Sequence, residues 1–123
     1  MVARILVVED SPTQALRLKL VLQKAGLTVE VANTGEAGVA QALQSIPQAI
    51  VLDVNLPDID GFQVCQRLKG QVSTVDIPVI MLTVKDRAVD TLSGLEAGAD
   101  AYIPKDDFAE ANLLQALRDL GIA

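Results

Sequence analysis

Residues 49–57 read Ala-Ile-Val-Leu-Asp-Val-Asn-Leu-Pro, so that four aliphatic residues lead directly into an aspartate and then into a proline turn. A short, uninterrupted apolar run bounded by turn-forming residues is typical of a strand buried on both faces, as in a parallel sheet. In open α/β sheets, ligands bind beyond the carboxyl ends of the strands. The segment therefore predicts a parallel strand that presents Asp53 and Asn55 at the functional edge.

Four similar runs lie at residues Arg4–Val8, Thr28–Ala32, 78–83 and 101–103. The segments between them, and the last segment of the chain, carry apolar residues at helical spacing, and several end at glycine. The apolar positions of the five predicted helices are Leu18, Val21, Leu22 and Ala25; Val39, Ala42, Leu43 and Ile46; Gly61, Val64, Cys65 and Leu68; Ala88, Leu92 and Leu95; and Leu113, Ala116, Leu117 and Leu120. This alternation predicts an α/β fold, a doubly wound five-stranded parallel sheet with five helices.

Composition limits the class of protein. A chain of 123 residues suits a single domain, which we expect to span residues 1–123. The formal charge of −6 argues against direct nucleic-acid binding. One cysteine cannot form an intramolecular disulfide, and neither a signal peptide nor a membrane-length apolar run is evident, so we expect a cytoplasmic protein that does not bind membranes.

Polar residues follow the predicted strands. Taken singly, each has an ordinary structural explanation, such as a helix cap, a turn or a solvated lysine. Because parallel strands bring their carboxyl ends to one edge, we expect these residues to form one site. They are Glu9 and Asp10 after the first strand, Asp53 and Asn55 after the third, Thr83 at the end of the fourth, and Lys105 after the fifth.

The charges of this predicted site suggest a bound cation. Like charges about 4 Å apart repel by roughly 4 kcal/mol at an effective dielectric constant near 20. Glu9, Asp10 and Asp53 would therefore need positive charge among them, and Mg²⁺ suits oxygen ligands of this kind and also binds phosphate. Together with Lys105, the ion would balance the three carboxylates and create a place for a phosphoryl group.

Segments 5–10, 51–57, 60–61, 78–83 and 98–105 resemble the receiver domains of two-component response regulators, including the chemotaxis-regulator-like ones. The resemblance covers the whole chain in order and implies the flavodoxin-like receiver fold. It implies that Asp53 is the nucleophile that accepts a phosphoryl group. By the same resemblance Mg²⁺ is held by Glu9, directly or through water, by Asp10 and Asp53, and by the backbone carbonyl of Asn55.

The same resemblance implies a regulatory switch that promotes only its own phosphorylation and dephosphorylation. Thr83 and Lys105 would contact phosphoryl oxygens, and Thr83 would be coupled to a rotation of Tyr102. The expected partners are a sensor histidine kinase or a phosphotransfer protein, and a downstream effector that binds the surface of the fourth helix, fifth strand and fifth helix. A homodimer on the face of the fourth and fifth helices is a further hypothesis.

Two positions depart from the family pattern, and the last helix differs from that of one subfamily. Asp106 stands where most receivers have a proline after a cis peptide, and a cis bond before a non-proline residue costs roughly 2.5 to 4 kcal/mol. The Lys105 peptide is thus expected to be trans, while the Ile103–Pro104 bond is left open. Val84 is larger than the usual residue after the threonine and is predicted to slow dephosphorylation. The last helix has Arg118 as its sole basic residue, unlike the DNA-binding subfamily.

Three alternatives stay open. The main one is a pseudo-receiver that binds proteins without being phosphorylated. A flavin-binding protein of the same architecture would need a phosphate loop in place of the anionic segment at Glu9. A haloacid-dehalogenase-type phosphohydrolase would need an aspartate where this chain has Asn55. Both a single-domain regulator and a fragment of a larger protein fit the sequence.

Overall fold

The computed structural model describes residues 3–83 and 98–122, and within them the predicted sheet is confirmed. All pairings in the sheet are parallel, and the strand order is β2-β1-β3-β4-β5. The order reverses between β1 and β3, so the crevice expected in doubly wound sheets opens at their carboxyl ends. The strands are β1 (Arg4–Val8), β2 (Thr28–Ala32), β3 (Ala49–Asp53), β4 (Val79–Thr83) and β5 (Ala101–Pro104).

Four helices lie in the described part of the chain. The side chains of Ser11, Thr34 and Asp60 cap the first three by accepting a hydrogen bond from a backbone N–H three residues further on. The predicted fourth helix falls in residues 84–97, outside the described residues. No helix described here has the length and apolar character that crossing a bilayer requires. The helices are α1 (Pro12–Lys24), α2 (Gly35–Ser45), α3 (Gly61–Lys69) and α4 (Ala109–Asp119), the last being the fifth helix of the sequence prediction.

Two apolar layers enclose the sheet. On one face, Leu22 of α1 and Leu113 and Leu117 of α4 belong to the cluster that contains Ile5 and Val7 of β1. The opposite face is covered by α2 and α3, and its cluster includes Ala42, Val64, Cys65 and Leu68 together with alternate residues of the strands. Burying both faces of the sheet explains why β1, β3 and β4 consist mainly of aliphatic residues, whereas the edge strand β2 also carries Thr28 and Glu30.

Helix α2 packs through small residues, which corrects part of the sequence prediction. Gly35, Gly38 and Ala42 are its buried residues, whereas Leu43 is 38% exposed and Ile46 is 40% exposed. A Cβ atom at Gly38 would lie only 2.8 Å from a Val8 methyl carbon, so the helix touches β1 where a larger residue would not fit. Ile46 is the C-cap, in the left-handed region with φ 46°. Of the predicted positions, Ala42 is buried and Val39 packs against the core, whereas Gly35 and Gly38 were missed because glycine carries no hydrophobic signal.

The backbone around Lys105 is regular. No cis peptide bond occurs in the described residues, so both the Ile103–Pro104 and the Lys105–Asp106 bonds are trans. Pro104 ends β5 opposite Thr83, and the Lys105 N–H donates to the Thr83 carbonyl. Because β5 is the edge strand beside β4, a proline can stand there without breaking the interior of the sheet.

Candidate functional site

The first two acidic residues follow β1 directly. The Glu9 N–H donates to Ala32 O at 3.0 Å, which continues the β1–β2 ladder by one residue. This ladder turns the Glu9 side chain inward, where it is 1% exposed, while the neighbouring Asp10 is exposed. The Ser11 N–H donates to Glu9 Oε2 at 3.2 Å, which fixes the carboxylate against the start of α1.

Asp53 ends β3 next to them and is 5% exposed. Carboxylate oxygens of Glu9, Asp10 and Asp53 all lie within 4.8 Å of one another. The Asn55 N–H donates to Asp53 Oδ1 at 3.2 Å, so the loop after β3 folds back onto the carboxylate. The structure thus brings the three predicted acidic residues together in one cluster.

The side chain of Lys105 reaches into this cluster from the end of β5. Its Nζ lies 3.1 Å from Asp53 Oδ2 and 3.2 Å from Glu9 Oε1. It also donates to Gln14 Oε1 at 2.9 Å. The Lys105 side chain is 18% exposed, so these ion pairs are shielded from water more than surface pairs are.

The cluster shifts the ionisation of Glu9. Burial is the largest cause, and the negative charge of Asp53 adds to it, so the pKa of Glu9 rises from 4.5 to about 7. The Ser11 N–H and the Lys105 ammonium act in the opposite direction without reversing the effect. Three carboxylates face one ammonium here, so the cluster carries more formal negative charge than Lys105 offsets.

This donor set fits a hard divalent cation. Three carboxylates with oxygens within 4.8 Å of one another supply the ligand type that Mg²⁺ prefers, and Asp10 is exposed at the mouth of the cluster. Asp53 combines a nucleophilic oxygen with a neighbouring ammonium. Such an arrangement can attack an electrophilic phosphorus and can hold the anionic product.

Gly61 lets the acceptor loop close over the end of β3. Its N–H donates to Val54 O at 2.8 Å, and a Cβ atom there would lie 2.4 Å from the Asp53 carbonyl oxygen and 2.8 Å from Val54 Cα. No side chain can fit without moving the backbone that carries Asp53. Gly61 is also the first residue of α3, and the close approach explains why a glycine is needed.

Asp58, in the same loop, was not predicted as important. Its carboxylate accepts from Gly35 N and Glu36 N, both at 2.8 Å, and so caps α2 from a distant part of the chain. The Glu36 N–H is the main cause that lowers the pKa of Asp58 from 3.8 to about 2. The loop after Asp53 is thereby attached to the start of α2.

Thr83 and Tyr102 occupy the positions that the strands predict. Thr83 ends β4, next to the end of β3, and is 3% exposed. Tyr102 pairs with Met81 across β4 and β5 and packs against the apolar cluster of the α2 and α3 face. Because Pro104 pairs with Thr83 in the same ladder, Tyr102 lies two residues from the position opposite Thr83. The residue after Thr83, Val84, lies outside the described residues, and its predicted effect stays a prediction.

Two further polar residues, Gln14 and Lys69, escaped the sequence analysis. Gln14, on the first turn of α1, binds Lys105. Lys69 donates to Ile77 O at 2.8 Å and to Asp100 Oδ2 at 3.3 Å, which joins the end of α3 to the start of β5. Neither belongs to a short motif. Their partners are distant in the sequence, so no local pattern marks them.

Comparison with known proteins gives a consistent result. A family model described as the response regulator receiver domain matches residues 5–118. The DNA-binding dual master transcriptional regulator RpaA of Synechocystis sp. is 43% identical over 83% of this chain and 42% of its own length. Protein PilH of Pseudomonas aeruginosa is 41% identical over 84% of this chain and 85% of its own length.

A solved structure agrees with these relatives. The chemotaxis response regulator CheY4 of Vibrio cholerae is 29% identical and superimposes with a TM-score of 0.90, covering 98% of this chain and 99% of its own. The present chain spans less than half the length of RpaA but most of the length of PilH.

Proposed function

The chain belongs to the response regulator receiver domain family, and from this we propose that it is a switch whose Asp53 accepts a phosphoryl group in a Mg²⁺-dependent reaction. The observation that carries the proposal is the contact of Lys105 Nζ with Asp53 Oδ2 at 3.1 Å inside a cluster of three carboxylates. We take residues 1–123 as one receiver domain.

In the proposed reaction, an Asp53 carboxylate oxygen attacks the phosphorus of a phosphohistidine. A bond forms between phosphorus and the Asp53 oxygen, the phosphorus–nitrogen bond breaks, and the imidazole nitrogen keeps the electron pair. Hydrolysis later returns the Asp53 carboxylate and inorganic phosphate. The protein is a regulator and not an enzyme that acts on a separate substrate.

Each site residue has a proposed role. Lys105 places a positive charge beside the phosphoryl oxygens, and Thr83 donates its hydroxyl to them. Glu9, Asp10, Asp53 and the backbone carbonyl of Asn55 hold Mg²⁺, which receiver domains generally bind at such an acidic cluster. When bound, the ion offsets the negative charge that builds up during phosphoryl transfer.

The proposed partners follow from the family. A sensor histidine kinase or a phosphotransfer protein donates the phosphoryl group in the cytoplasm, and an effector protein or domain reads the result. The predicted readout is a coupled movement of Thr83 and Tyr102. This movement would change a surface formed by three elements: the predicted helix that follows β4, strand β5 and helix α4. RpaA is a DNA-binding regulator, but any DNA contact is proposed to need a further domain, given the charge of −6.

Incubation with Mg²⁺ and acetyl phosphate tests the proposal. Intact-mass spectrometry should show one added phosphoryl group, stable in acid and labile in base, and peptide mapping should place it on Asp53. An Asp53→Asn variant should gain none, whereas Asp76→Asn, which changes an exposed carboxylate, should behave as the wild type. A wild-type chain that gains no phosphoryl group from acetyl phosphate or from histidine kinases would support the pseudo-receiver alternative.

A further inference from the structure

Gln14 lies where α1 meets the carboxylate cluster. Its backbone N–H donates to the Ser11 side chain at 3.3 Å, which is the N-cap hydrogen bond of α1. The Ser11 N–H in turn donates to Glu9 Oε2 at 3.2 Å. The first turn of α1 is thus attached to the acidic site, and Gln14 starts from a defined backbone position.

The carboxamide of Gln14 accepts a hydrogen bond from the Lys105 ammonium. A lysine ammonium has three N–H donors. Lys105 Nζ lies 2.9 Å from Gln14 Oε1, 3.1 Å from Asp53 Oδ2 and 3.2 Å from Glu9 Oε1. Gln14 and Glu9 accept hydrogen bonds from Lys105 Nζ, and Asp53 forms an ion pair with it. Of these three partners, Gln14 is the one that belongs to a helix and not to a strand end.

Gln14 accepts this hydrogen bond without adding charge. A carboxylate in its place would increase the negative charge of a site that already holds three carboxylates. Gln14 and Lys105 also line an open cavity of about 380 Å³ beside the site, bordered by α1 and the start of α4. When Asp53 carries a phosphoryl group, the ammonium has to turn towards phosphoryl oxygens, and Gln14 and Glu9 stay available to hold it.

We propose that Gln14 is a positioning residue, whose carboxamide oxygen holds the Lys105 ammonium in place for the phosphoryl group on Asp53. This inference rests on the proposed phosphorylation of Asp53. Gln14 acts through Lys105 and does not touch the phosphoryl group itself.

A Gln14→Met variant tests the proposal because methionine has a similar shape and helix propensity but offers no comparable acceptor. With acetyl phosphate and Mg²⁺, we expect phosphorylation of Asp53 to slow by about fivefold, as for the loss of one hydrogen bond to a charged group at a partly exposed site. Gln23→Met makes the same change at an exposed position near the far end of α1 and should leave the rate unchanged.

A double-mutant cycle separates positioning from a general structural effect. In a Lys105→Met background, adding Gln14→Met should have no further effect, because the residue through which Gln14 acts is absent. Urea midpoints of the Gln14→Met and Gln23→Met proteins should agree. Rate effects of Gln14→Met that are equal with and without Lys105 would overturn the proposal.

Nitrogen-15 NMR of the lysine ammonium gives a readout that does not require phosphorylation. In the metal-free wild type we expect a Lys105 ammonium signal with slowed hydrogen exchange, and in Gln14→Met the exchange should be several-fold faster. If the wild type is phosphorylated on Asp53 and Gln14→Met matches it in rate and in ammonium exchange, this inference fails alone. If the wild type takes no phosphoryl group, the proposed function fails and this inference fails with it.

Discussion

Replacing Asp53 by Asn removes one of three clustered carboxylates, and we expect the metal-free protein to become more stable near pH 8 by about 2 kcal/mol. The reason is that Asp53 is repelled by two acidic neighbours and attracted by one lysine. The substitution keeps the shape of the side chain, so packing at the end of β3 changes little.

The magnitude follows from the distances. At an effective dielectric constant near 20, unit charges 4.8 Å apart repel by about 3.5 kcal/mol, and Asp53 has two such neighbours, Glu9 and Asp10. Its attraction to the Lys105 ammonium at 3.1 Å is about 5 kcal/mol on the same scale. Solvent screens the exposed Asp10, but the desolvation of Asp53, which is 5% exposed, adds a cost of its own. The net penalty of about 2 kcal/mol is what Asn removes.

The gain should depend on pH. Burial and the charge of Asp53 raise the pKa of Glu9 from 4.5 to about 7, so between these values the native protein binds a proton that the unfolded chain has released. Wild-type stability therefore falls as the pH rises through this window. Near pH 4.5, native Glu9 is neutral and the substitution mainly removes the attraction to Lys105, so the gain should disappear.

Urea unfolding in EDTA, at several pH values between about 4.5 and 8, measures both effects. Asp76→Asn serves as the control because Asp76 is an exposed carboxylate outside the cluster, and it should shift the midpoint little at any pH. Equal midpoints for wild type and Asp53→Asn near pH 8, or the same gain near pH 4.5 as near pH 8, would refute the reasoning.

Three further predictions concern positions around the site. Asp58→Asn should lower stability at neutral pH, because the pKa of Asp58 is lowered in the folded protein. The corresponding stabilisation is present above pH 3.8 and is lost as the pH falls towards 2. Urea midpoints of wild type and variant that differ by the same amount at pH 7 and below pH 2 would contradict this. Gly61→Ala should lower the free energy of unfolding in urea by about 2 to 4 kcal/mol, since its Cβ would lie 2.4 Å from the Asp53 carbonyl oxygen. Gly70→Ala should lower it far less, because a Cβ atom there would lie 3.3 Å from its nearest neighbour. Burial raises the pKa of the Cys65 thiol to about 11. Cys65 should therefore resist iodoacetamide near pH 8 in the native protein and react once the protein is unfolded. Rapid labelling of the native protein, measured by mass spectrometry, would contradict this.

Much of the fold follows from local pattern. The strands could be predicted within one residue at each end because the central ones are short aliphatic runs and the edge strand β2 is rich in β-branched residues. The buried glycines of α2 could not be predicted. Gly38 lies against Val8 of β1 and Gly35 lies against Ile59 and Val64, and these close approaches are a property of the packed structure. The predicted fourth helix and Val84 lie outside the described residues and stay predictions.

The order of residues along the chain was enough to show which polar groups would share a site, because parallel strands bring their carboxyl ends to a common edge. It placed Glu9, Asp10, Asp53 and Lys105 in one site. Tertiary structure alone decided which atoms meet there. Gln14 contacts Lys105 across 91 residues of sequence, and the Glu9 carboxylate is buried enough to raise its pKa to about 7. Contacts of this kind depend on how helices pack onto the sheet, and no periodicity along the chain encodes that packing.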